Sequence, residues 1–311
     1  MTLQQLHYIV ALAEHRQFVR AAEACHVTQP TLTMQVRKLE EDLDVELFDR
    51  RTLPVRPTEA GERVVAQARA VLREAEQLRA LVAEMHTGLA GTCRIGVIHT
   101  LAPYLMPLFL PRFAEEHPDL RLIIDERKTS RILKGLRRGE LDLGIVVTPV
   151  DAPDIEEVPL FVERFLAYLP AGHRLWRQRE VRREQLKRES LWVLGEGHCF
   201  REQTLSLCGS PSSGTHANLL YESGSIETLK QLVRNGEAMT LVPELSVSPD
   251  DPHVRCFADP ETVRQVSLVA RRPFVRRRLI EALAGAIKRS TAPALAASSG
   301  DRRRVAVVPI H

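Results

Sequence analysis

Two cysteines, Cys199 and Cys208 in the segment GEGHCFREQTLSLC, are the side chains here with the most chemistry to offer. Cys199 follows a Gly-rich turn and is expected to open a helix, where N–H groups and the helix dipole favour a thiolate. If residues 199–208 are helical, the two cysteines lie about 13.5 Å apart along the axis. A disulfide needs Cα atoms within roughly 7 Å. A bond between them would therefore require the segment to unwind, coupling thiol chemistry to shape. The plain alternative is that both are small apolar fillers, which is the reading for Cys25, Cys93 and Cys256. Five cysteines are too few for a disulfide scaffold and contain no CxxC pair. The histidines lack ligand spacing, so neither a metal nor a cofactor is expected.

The elements that must position this chemistry come from a chain of 311 residues, 44% hydrophobic and 27% charged, which suits two or three packed domains. No apolar run reaches the length of a membrane span, and the N-terminus lacks the pattern of a signal peptide. A soluble cytoplasmic protein is expected. A net charge of +3 permits a nucleic-acid partner without demanding one. Residues 1–60 hold seven Lys/Arg against nine Asp/Glu, so local geometry must carry any case for DNA there.

That geometry is present. Leu3, Leu6, Ile9, Val10 and Ala13 predict a first amphipathic helix, and Phe18–Cys25 a second. After a break at His26–Val27, Thr28 suits an N-cap and Pro30 a first turn. Leu32, Val36, Leu39 and Leu43 then mark the buried stripe of a third helix. Its opposite face carries Gln29, Thr31, Thr33, Met34, Arg37 and Lys38, types that suit base edges and phosphates. The next segment, LFDRRTLPVRPTEAG, predicts a Pro-containing wing with Arg50, Arg51 and Arg56. From Glu59 to about Gly88 one narrow apolar seam predicts a helix of about 28 residues, roughly 42 Å long, that needs a partner helix.

The run AAxxxxVTQPTLTxQVRKLEExL from Ala21, the segment VELFDR at Val45–Arg50 and TEAG at Thr58–Gly61 resemble the LysR family of transcriptional regulators. One departure is Asp44, where the family usually has Gly; Asp tolerates the left-handed conformation only moderately. The resemblance implies a winged helix-turn-helix over 1–58 that reads double-stranded DNA through Thr28, Gln29, Pro30, Thr31, Thr33, Met34, Arg37, Lys38, Arg50 and Arg51. It also implies a linker and dimerisation helix over 59–90, a homo-oligomer (dimer, then tetramer) and RNA polymerase as a partner.

From Thr92 onward strand-like and helix-like stretches alternate: CRIGVI, then Pro107–Glu116, LRLIID, Ser130–Arg138 and LDLGIVV. The alternation predicts α/β with mainly parallel sheets. ILKGLRRGELDLGIV resembles LysR effector domains, implying a two-lobed, periplasmic-binding-protein-like (type 2) regulatory domain over 91–290. The chain would cross between lobes near Val162 and return near Ser267. Residues 291–311, Ala/Ser-rich and then basic, are expected to be a disordered tail.

His198–Cys199, Arg201, Gln203, Cys208, SIETLKQLVRNG at Ser225–Gly236 and Leu241–Pro243 are similar to the hydrogen-peroxide-sensing branch of the family. That resemblance implies that Cys199 forms a sulfenic acid which Cys208 resolves to a disulfide. It further implies a peroxide pocket of Thr100, Thr129, His198 and Arg271, with Arg272 as a rival for the last. His99 departs from the expected pattern and alters pocket polarity. GSPSSGTHAN after Cys208 suggests a flexible loop. Two other functions are weighed: a regulator sensing a small organic effector, against which Cys208 counts, and a thiol peroxidase. An enzyme has little need of a recognition helix and wing, so a non-enzymatic regulator ranks first.

Overall fold

The computed structural model describes residues 1–86, 88–187, 189–208, 224–258, 261–296 and 305–307. It divides into two compact units, Met1–Thr92 with Arg137–Glu140, and the remainder.

In the first unit α1 (Leu3–His15) begins at a reciprocal cap: Thr2 Oγ1 accepts from the Gln5 N–H at 3.2 Å, and Gln5 Oε1 from the Thr2 N–H at 2.9 Å. Next come α2 (Phe18–Ala24) and α3 (Gln29–Leu43). Leu6, Ile9, Ala21, Leu32, Val36 and Leu39 are buried in one core, as their spacing predicts, and Leu12 joins them; Leu3, expected in the α1 stripe, is 45% exposed at the first turn. Leu43, expected in the same stripe, is 38% exposed because the last turn of α3 runs past that core. Thr28 stands at the N-cap of α3, but its hydroxyl pairs with Thr31 Oγ1 at 2.8 Å instead of capping the backbone. Asp44 ends α3 in the left-handed conformation, φ 51°.

β1 (Phe48–Asp49) and β2 (Arg56–Pro57) pair antiparallel as the wing, and α4 (Glu59–His86) follows with 28 residues. A Cβ at Gly61 would lie 1.9 Å from the Leu47 carbonyl oxygen. Glycine there lets the first turn of α4 touch the base of the wing. Val65 and Ala68 anchor α4 in the core, while Val71, Leu78 and Val82 are exposed.

The second unit begins with β3 (Gly91–Val97), α5 (Ala102–Glu116), β4 (Leu120–Glu126), α6 (Thr129–Arg137) and β5 (Leu143–Thr148). The helix expected from Pro107 starts five residues earlier, at Ala102. Pro103 occupies its first turn at no hydrogen-bond cost. Pro107 and Pro111 then lie inside the helix, held by buried Leu105, Phe109 and Phe113 on one stripe. β6 (Ile155–Tyr168) carries the chain into a second lobe of β7 (Glu180–Val181), α7 (Arg183–Leu186), α8 (Cys199–Cys208), α9 (Ile226–Arg234), β8 (Thr240–Pro243) and β9 (Val254–Phe257). β10 (Glu261–Arg271) returns, followed by α10 (Arg277–Ala296) and β11 (Val305–Val307).

The strand order is β4-β3-β5-β10-β6-β9-β7, with β8 on β6 and β11 beside β10. β3/β5 and β7/β9 are parallel, but β10 is antiparallel to β5 and β6, and β6 to β8 and β9. The expected mainly parallel sheet is corrected on this point. The two long strands traverse the unit in opposite directions, so their ladders are antiparallel. β6 pairs with β10 up to Arg164 and with β8 from Phe165, so one strand serves both lobes.

The C-terminal segment also differs from expectation. Residues 291–296 continue α10, with Thr291 buried, and Val305–Val307 pair with Glu261–Val263. Alanine is the strongest helix former, and a short Val-rich run favours a strand, so a composition that suggests disorder also suits both elements. The stretch GSPSSGTHAN lies outside the described residues.

Candidate functional site

α8 is helical from one cysteine to the other: Cys199 is its first residue and Cys208 its last. Both thiols are free and buried. Ten helical residues keep them about 13.5 Å apart along the axis. The turn that launches α8 holds Gly197 at φ +78°, and the Lys128 stem lies 3.2 Å from where a Cβ would stand. Lys128 Nζ donates to the Glu196 carbonyl at 2.6 Å, tying this turn to the loop before α6.

Around Cys199 the structure gathers Thr100, Thr129, His198 and an arginine, but the arginine is Arg264, not the expected Arg271 or Arg272. Arg264 is fully buried. It donates from Nε to Glu163 Oε1 at 2.8 Å, from Nη1 to Thr100 Oγ1 at 3.1 Å and from Nη2 to the Thr100 carbonyl at 3.3 Å. Its guanidinium also lies 5.1 Å from the centre of the Phe200 ring. Arg271 is exposed at the end of β10, opposite Ile155. Seven residues of strand put it about 23 Å beyond Arg264. The missed signal was in the chain: an arginine among the apolar residues of TVRQVSLVA, where a buried charge demands a partner.

Burial pushes the Cys199 thiol above its ordinary range, while the Arg264 charge and the Thr129 hydroxyl pull it back toward ionisation. This differs from the lowered thiol expected at a helix start, because desolvation outweighs the local positive field. The Thr129 Oγ1 is itself buried and has no nitrogen or oxygen partner among the described residues. Burial, with the His99 and Lys128 charges, pushes His198 down, favouring neutral imidazole. The His99 and His198 rings meet edge to face at 5.3 Å. Cys208, at the far end of α8, is packed with Leu207, Leu229 and Met239, and burial pushes its thiol up to about 12. Among the described residues no group of three metal-ligating side chains converges.

The first unit presents a second candidate surface. Thr28, Gln29, Pro30, Met34, Arg37 and Lys38 are exposed on α3, with Thr31 and Thr33 half-buried beside them. In the wing Arg51 is exposed. Arg50 is engaged within the molecule: it pairs with Glu40 and lies over the Phe18 ring at 5.7 Å. Glu40 also accepts from the Leu47 N–H at 2.9 Å, so one carboxylate joins α3 to the wing.

Comparison with known proteins matches residues 3–62 to the bacterial regulatory helix-turn-helix of the lysR family, and residues 86–292 to the LysR substrate binding domain. The chain is 38% identical over 294 residues to the DNA-binding transcriptional dual regulator OxyR of Escherichia coli, covering 93% of this chain and 95% of that one. It is 34% identical over 292 residues to the hydrogen peroxide-inducible genes activator of Haemophilus influenzae, covering 92% and 96%. Among solved structures it resembles a cysteine variant of full-length OxyR from Pseudomonas aeruginosa, with TM-score 0.74, 39% identity and coverage of 93% and 98%. It also resembles a peroxide-bound cysteine mutant of OxyR from Corynebacterium glutamicum, with TM-score 0.65, 30% identity and 98% coverage of both chains. The two matched segments and these relatives place the chain in the LysR family of bacterial transcriptional regulators, among its OxyR-like members.

Proposed function

We propose that this protein is a DNA-binding regulator switched by hydrogen peroxide through Cys199 and Cys208. The observation that carries the reading is the placement of two buried free thiols at opposite ends of α8, with Arg264 and Thr129 acting on the first. The Cys199 thiolate attacks one peroxide oxygen; the S–O bond forms, the O–O bond breaks with its electron pair on the distal oxygen, which leaves as hydroxide and is protonated to water, and the sulfur becomes a sulfenic acid. Arg264 favours the thiolate, and the hydroxyls of Thr100 and Thr129 and the His198 imidazole hold the peroxide. Cys208 then attacks the sulfenic sulfur, expels water and closes a disulfide. With Cα atoms about 13.5 Å apart along α8, that bond forms only after the helix unwinds. Extracting Cys208 from the second-lobe core converts oxidation into a change of shape.

The output lies in the first unit. Gln29, Thr33 and Met34 face base edges in the major groove; Thr28, Pro30, Thr31, Arg37, Lys38 and Arg51 line the backbone contact. Arg50 acts by holding the wing on Glu40. The domains divide as 1–58, 59–90 and a regulatory domain from 91, and α4 pairs subunits into a homo-oligomer that acts with RNA polymerase in the cytoplasm. Mass spectrometry of the reduced full-length protein after a stoichiometric peroxide pulse tests the switch. A Cys199–Cys208 crosslink is expected; free thiols at both positions would overturn the reading.

A further inference from the structure

His99 is the one pocket group whose presence the peroxide reading leaves unexplained. Its ring is half-buried, yet Nδ1 is fully buried with no hydrogen-bond partner among the described residues. A buried polar atom left without a partner is destabilising, so such a site persists only where something else offsets it. The position is specific. His99 directly precedes Thr100, whose hydroxyl takes the Arg264 hydrogen bond, and its ring meets that of His198, which directly precedes Cys199. Two chain segments thus bring their imidazoles together, one next in sequence to Thr100 and the other next to Cys199.

We propose that His99 is the proton donor to the departing peroxide oxygen. This rests on the peroxide-sensing reading and adds a residue to it. When the Cys199 thiolate bonds to the proximal oxygen, the O–O electron pair leaves on the distal oxygen as hydroxide. Protonated His99 gives its proton to that oxygen, so thiolate, peroxide and imidazolium become sulfenic acid, water and neutral imidazole. The half-buried ring is recharged from solvent. Hydroxide is a poor leaving group and water a good one, so a placed acid accelerates the step by about 10²–10⁴-fold. His198 is the poorer donor, because burial and the His99 and Lys128 charges push its pKa down. The charged groups acting around the pair are Lys128 before α6, Arg264 on β10 and Glu202 on α8.

The experiment compares two reactions of Cys199 in the reduced full-length protein. Hydrogen peroxide needs its leaving group protonated; iodoacetamide, which releases iodide, does not. His99→Phe is expected to slow oxidation of Cys199 by about 10²-fold and to leave its alkylation within about threefold of the parent. His99→Asn, which keeps a hydrogen-bonding nitrogen but carries no transferable proton, should be as slow toward peroxide as His99→Phe. The proposal is overturned if both reactions slow equally, if neither does, or if His99→Asn restores the parental rate. Failure of the parent's Cys199 to react with peroxide while still alkylating would instead overturn the underlying peroxide reading.

Discussion

At Cys199 opposing influences compete: desolvation and, less, the Glu202 charge raise the thiol, while the Arg264 charge, the Thr129 hydroxyl and the Phe200 N–H lower it. Because Arg264 and Glu163 are both fully buried and ion-paired, removing one alone strands the other's charge at a cost of about 3–5 kcal/mol. Replacing both, as Glu163→Gln with Arg264→Gln, removes the two charges together, with some loss of volume and of the Arg264 hydrogen bonds to Thr100. The midpoint of Cys199 alkylation against pH should then move upward, since the thiolate has lost its nearest cation; an unchanged midpoint would refute the role given to Arg264. Cys208 makes a separate pH prediction. Its folded thiol, pushed up to about 12, holds a proton that the unfolded chain releases above about 8.5. Stability should therefore fall as pH rises from about 8.5, at up to about 1.4 kcal/mol per unit from this group. Urea unfolding of Cys208→Ala between pH 8 and 10 should show a shallower fall than the parent. Equal slopes would mean the thiol is not desolvated.

At the scale of elements, α8 must be stable enough to separate its two cysteines and weak enough to unwind when they bond. Oxidised protein is accordingly expected to be cut within 199–208 by a low concentration of protease that leaves the reduced form intact, and equal cleavage of both forms would count against unwinding. The wing obeys a different constraint. Gly61 allows the start of α4 to meet the Leu47 carbonyl, and an added methyl at 1.9 Å has no room against backbone. Gly61→Ala should destabilise the first unit by more than about 2 kcal/mol and weaken DNA binding in parallel. A variant with parental unfolding midpoint and affinity would show that this junction yields freely.

For the molecule as a whole, the proposed function calls for two reading heads, and α4 would carry their assembly. Val71, Leu78 and Val82 recur at helical spacing on α4, with Leu78 at 63% exposure and Val82 at 48%. Solvent-facing apolar residues aligned this way suit a helix partner. Leu78→Glu should shift the protein toward monomer in sedimentation velocity while leaving the Cys199 peroxide reaction unchanged. A dimer of parental strength would place the subunit contact elsewhere.

Much of this was legible in the residues themselves because the signals are local. Helical periodicity located α3 and the 28 residues of α4, Asp44 marked the end of α3, and the Gly-rich turn before Cys199 pointed to a helix opening there, which the structure carries through to Cys208. Local signals failed where distant segments decide the outcome. The resemblance pointed to Arg271, with Arg272 as its rival, and Arg264 went unnoticed; the ladder of β10 with β6 instead puts Arg264 beside Glu163 and Thr100 and Arg271 about 23 Å away. Likewise Arg50 looked free for phosphate until folding set it on Glu40. The thiols that begin this account show both halves. Their spacing on a helix would require unwinding for a disulfide, but only packing could reveal that burial pushes the Cys199 thiol up while one arginine draws it toward thiolate. Desolvation and charge pairing depend on which chain segments meet, and that is a property of tertiary structure.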